Sequence, residues 1–158
     1  QRMKEIPLTQ GKVALVDDED YEYLNQWKWQ FSSGYARRNI RLLNGKRSSQ
    51  SMHRLILNVP SLEFLVDHIN GNKLDNRKEN LRTCDSCENA WNRGVKKENK
   101  LRIKGVSFKK EHSRYVAVIQ VKKKQLHLGY FYCPIEAARA YNEAAIKYHG
   151  EFAKLNPL

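Results

Sequence analysis

Val66-Asp67-His68-Ile69-Asn70-Gly71-Asn72-Lys73-Leu74-Asp75-Asn76-Arg77-Lys78-Glu79-Asn80-Leu81-Arg82, joined a few residues later by Glu88-Asn89, decides how this chain reads. Residues 66–69 predict a strand, Asn70-Gly71-Asn72 a turn, and residues 80–83 a returning strand. Asp85 with Glu88 three residues on has the form of a capping box, opening a helix through Asn92. The expected local unit is strand, loop, strand, helix. Asp67 offers a hard carboxylate oxygen and Asn89 a carbonyl oxygen of the kind magnesium accepts. Neighbouring side chains diverge on a strand, so Asp67 and His68 are expected to work from different sides. Asn80 is placed to tie the loop back on itself by side-chain hydrogen bonds and so hold the His68 ring.

A carboxylate, an imidazole and carboxamides at this spacing suit one hard metal ion beside a general base. Phosphodiester hydrolysis needs that equipment: an activated water, a neutralised phosphate and help for the departing oxygen. Met52-His53-Arg54-Leu55-Ile56, Val66-Asp67-His68-Ile69-Asn70-Gly71, Leu74-Asp75-Asn76-Arg77, Glu79-Asn80-Leu81-Arg82 and Glu88-Asn89 together resemble the HNH endonuclease family, named for its His-Asn-His signature. In that resemblance His68 is the first His and Asn80 the central Asn, while Asn89 replaces the last His, as in the His-Asn-Asn variants. Losing that nitrogen ligand tilts the metal toward magnesium, with manganese as the alternative, and away from zinc or nickel. The resemblance implies one-metal hydrolysis in which His68 takes a proton from water. The ion on Asp67 and Asn89 would bind the phosphate and the leaving oxygen, giving a 5′-phosphate and a 3′-hydroxyl. His68 and Asn80 are then the catalytic residues, and Asp67 and Asn89 the metal ligands. Arg77, Arg82 and Arg93 are candidate phosphate clamps, with Arg82 and Arg93 favoured. His53 reads as a packed structural histidine.

The 158 residues hold 29 Lys+Arg against 17 Asp+Glu, a net charge of +12. That balance is expected of a chain with a polyanionic partner, nucleic acid before an anionic membrane. The basic excess is greatest near the C-terminus, where residues 100–158 hold 12 basic and 4 acidic residues. A hydrophobic content of 41% excludes disorder as the overall state. No apolar run reaches bilayer-spanning length and no export pattern opens the chain, so a membrane partner is not expected. Cys84, Cys87 and Cys133 fit a reducing compartment, and the expected location is the cytoplasm of a bacterial host.

Residues 5–52 read as strand, short helix and hairpin. Asp17, Asp18, Glu19 and Asp20 open the helix, and Asn44-Gly45 signals a two-residue turn between strands at 35–43 and 47–52. Arg37, Arg38, Arg41, Lys46 and Arg47 form an outward basic ribbon, either a solvated face or a DNA contact. A short helix from His53 is expected to end at Pro60. Residues 94–102 are polar and basic without an apolar period, which reads as a linker. Beyond them, residues 104–110, 114–122 and 125–131 predict three strands, and Pro134 opens an Ala-rich helix to about Tyr148.

Lys104-Gly105-Val106, residues 114–119, Leu126-His127-Leu128-Gly129-Tyr130-Phe131, Glu136-Ala137-Ala138-Arg139-Ala140-Tyr141 and residues 150–156 resemble the Apetala-two/ethylene-response-factor DNA-binding domain. Such domains lay a three-stranded sheet in the major groove with the helix behind it. Period two then assigns Tyr115, Ala117, Ile119, Leu126 and Leu128 to the helix side. Val116, Val118, Gln120, Lys122, Gln125 and His127 fall to the DNA side, with Lys104, Ser107 and Lys109 from the first strand. Ser107, Val118, Gln120 and His127 stand where that family usually carries arginine or tryptophan, which weakens direct base readout.

The expected fold class is α+β: an HNH strand-strand-helix metal nuclease module over 1–93, a basic linker over 94–102, and a three-stranded antiparallel sheet packed on one helix over 103–158. The pairing looks like phage-associated or mobile-element homing endonucleases, which bind a long duplex site and nick or cut near one end. The expected partner is double-stranded DNA, with the protein a monomer or weak dimer. The alternatives are a non-catalytic, sequence-specific DNA-binding regulator and an RNA-binding protein.

Overall fold

The computed structural model describes residues 2–59 and 64–158. It is a mixed α/β structure of small antiparallel sheets and few helices. The chain divides into two compact units, 1–85 and 86–158, so the division falls at 85/86 and not at 93/94. Among the described residues no helix is long and apolar enough to cross a membrane.

In the first unit β1 (Met3–Pro7) pairs with β2 (Val13–Asp17), and α1 (Asp18–Asn25) follows directly. Asp18, Glu19 and Asp20 fill the first turn of α1, where acidic side chains complement the helix dipole. Asp17 does not cap the helix; its buried carboxylate accepts the Lys78 N–H at 2.8 Å. β3 (Gln30–Ser32), β4 (Tyr35–Arg41) and β5 (Arg47–Ser51) form a meander. The β4–β5 turn is the three-residue form rather than the expected two. The Leu42 N–H bonds Lys46 O, the Gly45 N–H bonds Leu42 O, and Gly45 takes the left-handed conformation that closes such a loop. α2 (Met52–Ile56) comes next; the expected stop at Pro60 lies outside the described residues. Ile6, Ala14, Val16, Leu24, Trp29, Ala36 and Met52 make the core. β6 (Leu65–His68) then pairs antiparallel with β7 (Leu81–Cys84).

The second unit begins with α3 (Ser86–Trp91). β8 (Val106–Lys109), β9 (Arg114–Val121) and β10 (Lys124–Phe131) form an antiparallel sheet in the order β10-β9-β8, backed by α4 (Pro134–His149). Ile119, Tyr141, Ala144 and Ala145 form one core cluster, and Val106, Ala117 and Ala137 another. Residues 94–102, expected as a linker, are folded into this unit. Leu101 and Ile103 pack on the second cluster, and the Asn99 side chain bonds Leu101 N and Ile103 O. Two apolar residues and one asparagine turn are too few to produce a period. Asn156 bridges Lys104 N and O through its side chain and Asn142 through its backbone, fastening the C-terminal tail beside β8 and α4.

Candidate functional site

The β6–β7 register sets Asp67 opposite Arg82 and His68 opposite Leu81. The connecting loop is knitted by asparagines, whose short amides reach nearby backbone. Asn80 accepts the Asn70 N–H at 2.9 Å and donates to Asp75 O at 2.8 Å. Asn70 donates to Asp75 Oδ2 and accepts the Asn72 N–H. Backbone bonds from Leu15 N to Leu74 O and from Asn76 N to Leu15 O dock the loop on β2.

Asn76, fully buried, faces His68 Nε2 with its Oδ1 at 3.0 Å, while its amide nitrogen turns to the Met52 sulfur at 3.4 Å. An oxygen opposite Nε2 makes that nitrogen the proton carrier, the tautomer in which Nδ1 bears the lone pair. Asn80 therefore shapes the loop, and the contact to the imidazole comes from Asn76. Burial lowers the His68 pKa, opposed by the Asn76 bond and by the Asp67 and Asp75 carboxylates, and reinforced by the Lys73 charge. A neutral imidazole ready to accept a proton results.

Asp67 is buried, and its Oδ2 accepts bonds from Arg82 Nε and Nη2 at 3.1 and 2.9 Å. Arg77 lies elsewhere: it binds both oxygens of Asp75 at 2.8 Å and also Glu79, holding the Asp75 carboxyl below the ordinary range. The half-exposed Arg77 guanidinium is thus engaged by the buried Asp75 and the exposed Glu79 carboxylates. Among the described residues no three His, Cys, Asp or Glu side chains gather into a metal cluster. One hard carboxylate beside a base fits an ion that keeps water and phosphate oxygens as its remaining ligands, as magnesium does. Asn89 and Arg93 belong to the second unit, Asn89 on α3.

His53, expected as a packing residue, is buried with its ring 5.1 Å from that of His68 and 5.2 Å from Tyr35. Among the described residues its Nδ1 has no hydrogen-bond partner. Burial, followed by the charges of His68, Arg54 and Arg37, pushes its pKa down to about 3. The unfolded chain therefore takes up a proton near pH 6.5 that the folded chain refuses until about pH 3. This share of stability is complete above pH 6.5 and shrinks as the pH falls below it, by about 2–3 kcal/mol at pH 4.5. Urea unfolding at pH 7 and 4.5 is expected to show a smaller acid loss in His53→Phe than in the unsubstituted chain; equal losses would refute it.

In the second unit the strand alternation divides the sheet. Tyr115, Ala117, Ile119, Leu126 and Leu128 pack toward α4. Ser107, Lys109, Gln120, Gln125 and His127 are exposed, and Val118 is half-buried among them. The β8–β9 and β9–β10 registers put Ser107 beside Val116, His127 beside Val118 and Gln125 beside Gln120 on the open face. Lys122 sits in the β9–β10 turn with positive φ, beyond the strand that was expected to carry it. Lys104 departs from the expected DNA-side role. Its ammonium donates to the Trp91 and Arg93 carbonyls, and burial lowers its pKa to about 8. Two residues were missed: Arg114 and Tyr130 continue the alternation on the open face, and the Arg114 guanidinium stacks on the Tyr132 ring at 3.5 Å. Extending period two from Val118 and Val116 back to Arg114 was the available signal.

Residues 58–90 match the family described as HNH endonuclease. Protein 3.8 of Escherichia phage T7 is 36% identical over 62 residues, which cover 39% of this chain and 51% of the phage protein. An uncharacterised HNH endonuclease of Acanthamoeba polyphaga mimivirus is 28% identical over 156 residues, 94% of this chain and 76% of its own length. The chain thus spans about half the length of the phage relative. No solved structure matches. The family match over residues 58–90 and the viral relative, itself named an HNH endonuclease, support an HNH-type segment in this chain.

Proposed function

We propose that this chain is a magnesium-dependent, homing-type DNA endonuclease that hydrolyses a phosphodiester to a 5′-phosphate and a 3′-hydroxyl. The observation that carries the reading is the ordered imidazole of His68, beside Asp67 at the end of β6, with Nε2 fixed on the buried Asn76 amide. Nδ1 takes the proton of the attacking water. Asn80 keeps the loop that carries Asn76 closed, through its bonds to Asn70 and Asp75. Asp67 would hold the ion, and Asn89 enters as a second oxygen ligand on its sequence position alone. Magnesium, when bound, supplies positive charge at the scissile phosphate. Arg82 steadies the Asp67 carboxylate through its two bonds to Oδ2.

The second unit reads as an Apetala-two-type module that holds duplex DNA on its open face. Ser107, Lys109, Gln120, Gln125 and His127 contact bases and backbone there, Val118 adds apolar contact, and Lys122 reaches phosphate from the turn. Arg93 joins them as a phosphate contact. Lysine-to-phosphate contacts give salt-sensitive affinity with little sequence information. One active site per chain most simply nicks one strand.

The test is conversion of supercoiled plasmid carrying candidate host or phage DNA to nicked circles. Magnesium is expected to support cutting, manganese to replace it, and EDTA to abolish it. Tight duplex binding without cutting on any DNA or metal would favour the non-catalytic regulator.

A further inference from the structure

Two cations near His68 have no assigned role. Strand alternation in β4 sends Ala36 into the core and stacks Arg38 on Trp27, with the guanidinium carbon 3.5 Å from the ring centroid. Tyr35 and Arg37 point to the opposite face. There the Tyr35 ring lies 6.0 Å from the His68 ring and 5.2 Å from that of His53. The Arg37 guanidinium carbon is 5.4 Å from the centre of the Tyr35 ring, and Lys73 Nζ, from the β6–β7 loop, is 4.6 Å from it. Lys73 has a prepared seat: its stem runs across Gly34, where a Cβ would meet Lys73 Cδ at 3.2 Å.

These cations differ from the arginines around them. Arg77 and Arg82 are held by carboxylates, whereas among the described residues Arg37 and Lys73 join no ion pair. Among the described residues the buried Arg37 Nε meets no hydrogen-bond acceptor. A buried guanidinium donor without an acceptor, a second cation over the same aromatic ring and a neighbouring imidazole together describe a receptor for an anion that arrives from outside.

The geometry points to Arg37 and Lys73 as the residues that grip the DNA backbone phosphates next to the bond that the water activated by His68 attacks, with Tyr35 as their shared platform. The inference rests on the nuclease reading for the identity of the anion. It makes the three-stranded β3–β5 sheet a working wall of the site, not only a support. The guanidinium, planar and forked, suits two phosphate oxygens, and the ammonium acts as a point charge.

The test uses the full chain and a plasmid-derived duplex, with binding measured in EDTA across a salt series and cleavage measured in magnesium. Arg37→Gln and Lys73→Gln are each expected to reduce the slope of log affinity against log salt by about 0.9, the value for one B-DNA phosphate contact. Each is also expected to lower kcat/KM by about 10-fold at physiological salt. Lys28→Gln, which removes an exposed charge elsewhere in the first unit, is the reference and should change neither. An unchanged slope in the double variant overturns the assignment, as does an equal drop in Lys28→Gln. Lys73 is exposed, so its variant should fold and decides the question even where Arg37→Gln misfolds; Arg37→Lys should keep the slope. If the unsubstituted chain cuts no DNA, the nuclease reading fails, and the slopes in EDTA still judge the two cations.

Discussion

His68→Ala is expected to lower magnesium-dependent cleavage by about 10³-fold while duplex affinity stays within about twofold, since a positioned base contributes roughly 10²–10⁴. The imidazole is buried against Tyr35 and His53, and Nε2 is bonded to Asn76, so the ring is held in a fixed orientation. Nothing else in the loop can replace it, because Asp75 is committed to Arg77 and Asn70, and Asn80 to the backbone. Asn76→Ala is expected to fall between, losing about 10- to 100-fold in kcat with KM little changed, the usual effect of removing the group that orients a reactive ring. Cleavage and fluorescence-anisotropy binding on the same duplex separate the two. If His68→Ala loses affinity as heavily as rate, the imidazole is holding DNA or the fold, and the assignment to proton transfer falls.

Much of this site was legible in the chain because its signals are local. Asp67-His68 ends a strand, Asn70-Gly71-Asn72 makes a turn, and Asn80 ties the loop through bonds to Asn70, ten residues back, and Asp75, five residues back. The same holds in the second unit, where strand alternation alone separated Ala117 and Ile119 from Gln120 and His127. What stayed hidden depends on contacts distant in sequence. Asn76 was visible as part of a motif, but its partnership with His68 needs Met52 on the other side of the amide, 24 residues away. His53, expected to pack, is buried, but nothing local says that Tyr35 and His68 are the rings it packs on. Lys104 looked like a DNA contact because charge was read without burial; its ammonium serves the carbonyls that end α3. Asp17 was grouped with the acids that open α1, and a loop amide 61 residues away takes its carboxylate.

Gly105→Ala is expected to destabilise the second unit by about 2–5 kcal/mol, combining a left-handed backbone that costs an alanine about 1–2 with an overpacked contact of about 1–3. Gly105 has φ +75°, and a Cβ there would lie 2.1 Å from the Tyr141 ring and 2.7 Å from Val118 O. The neighbours cannot yield. Tyr141 is buried in the cluster with Ile119, Ala144 and Ala145, and Val118 N bonds Gly105 O at 2.8 Å, which fixes the two backbones together. Asn156 clamps Lys104 just before it, so the chain cannot swing away without breaking both of those bonds. The loss is a large share of the roughly 4–11 kcal/mol expected for a unit of this size. Gly94→Ala, with nothing within 4 Å of the added carbon and no positive φ, is expected to be nearly neutral. Urea unfolding and duplex binding should fall together in Gly105→Ala and hold in Gly94→Ala. A Gly105→Ala protein as stable as Gly94→Ala would mean that the lead into β8 does not press on α4, and that the helix is not what holds the open face of the sheet in shape.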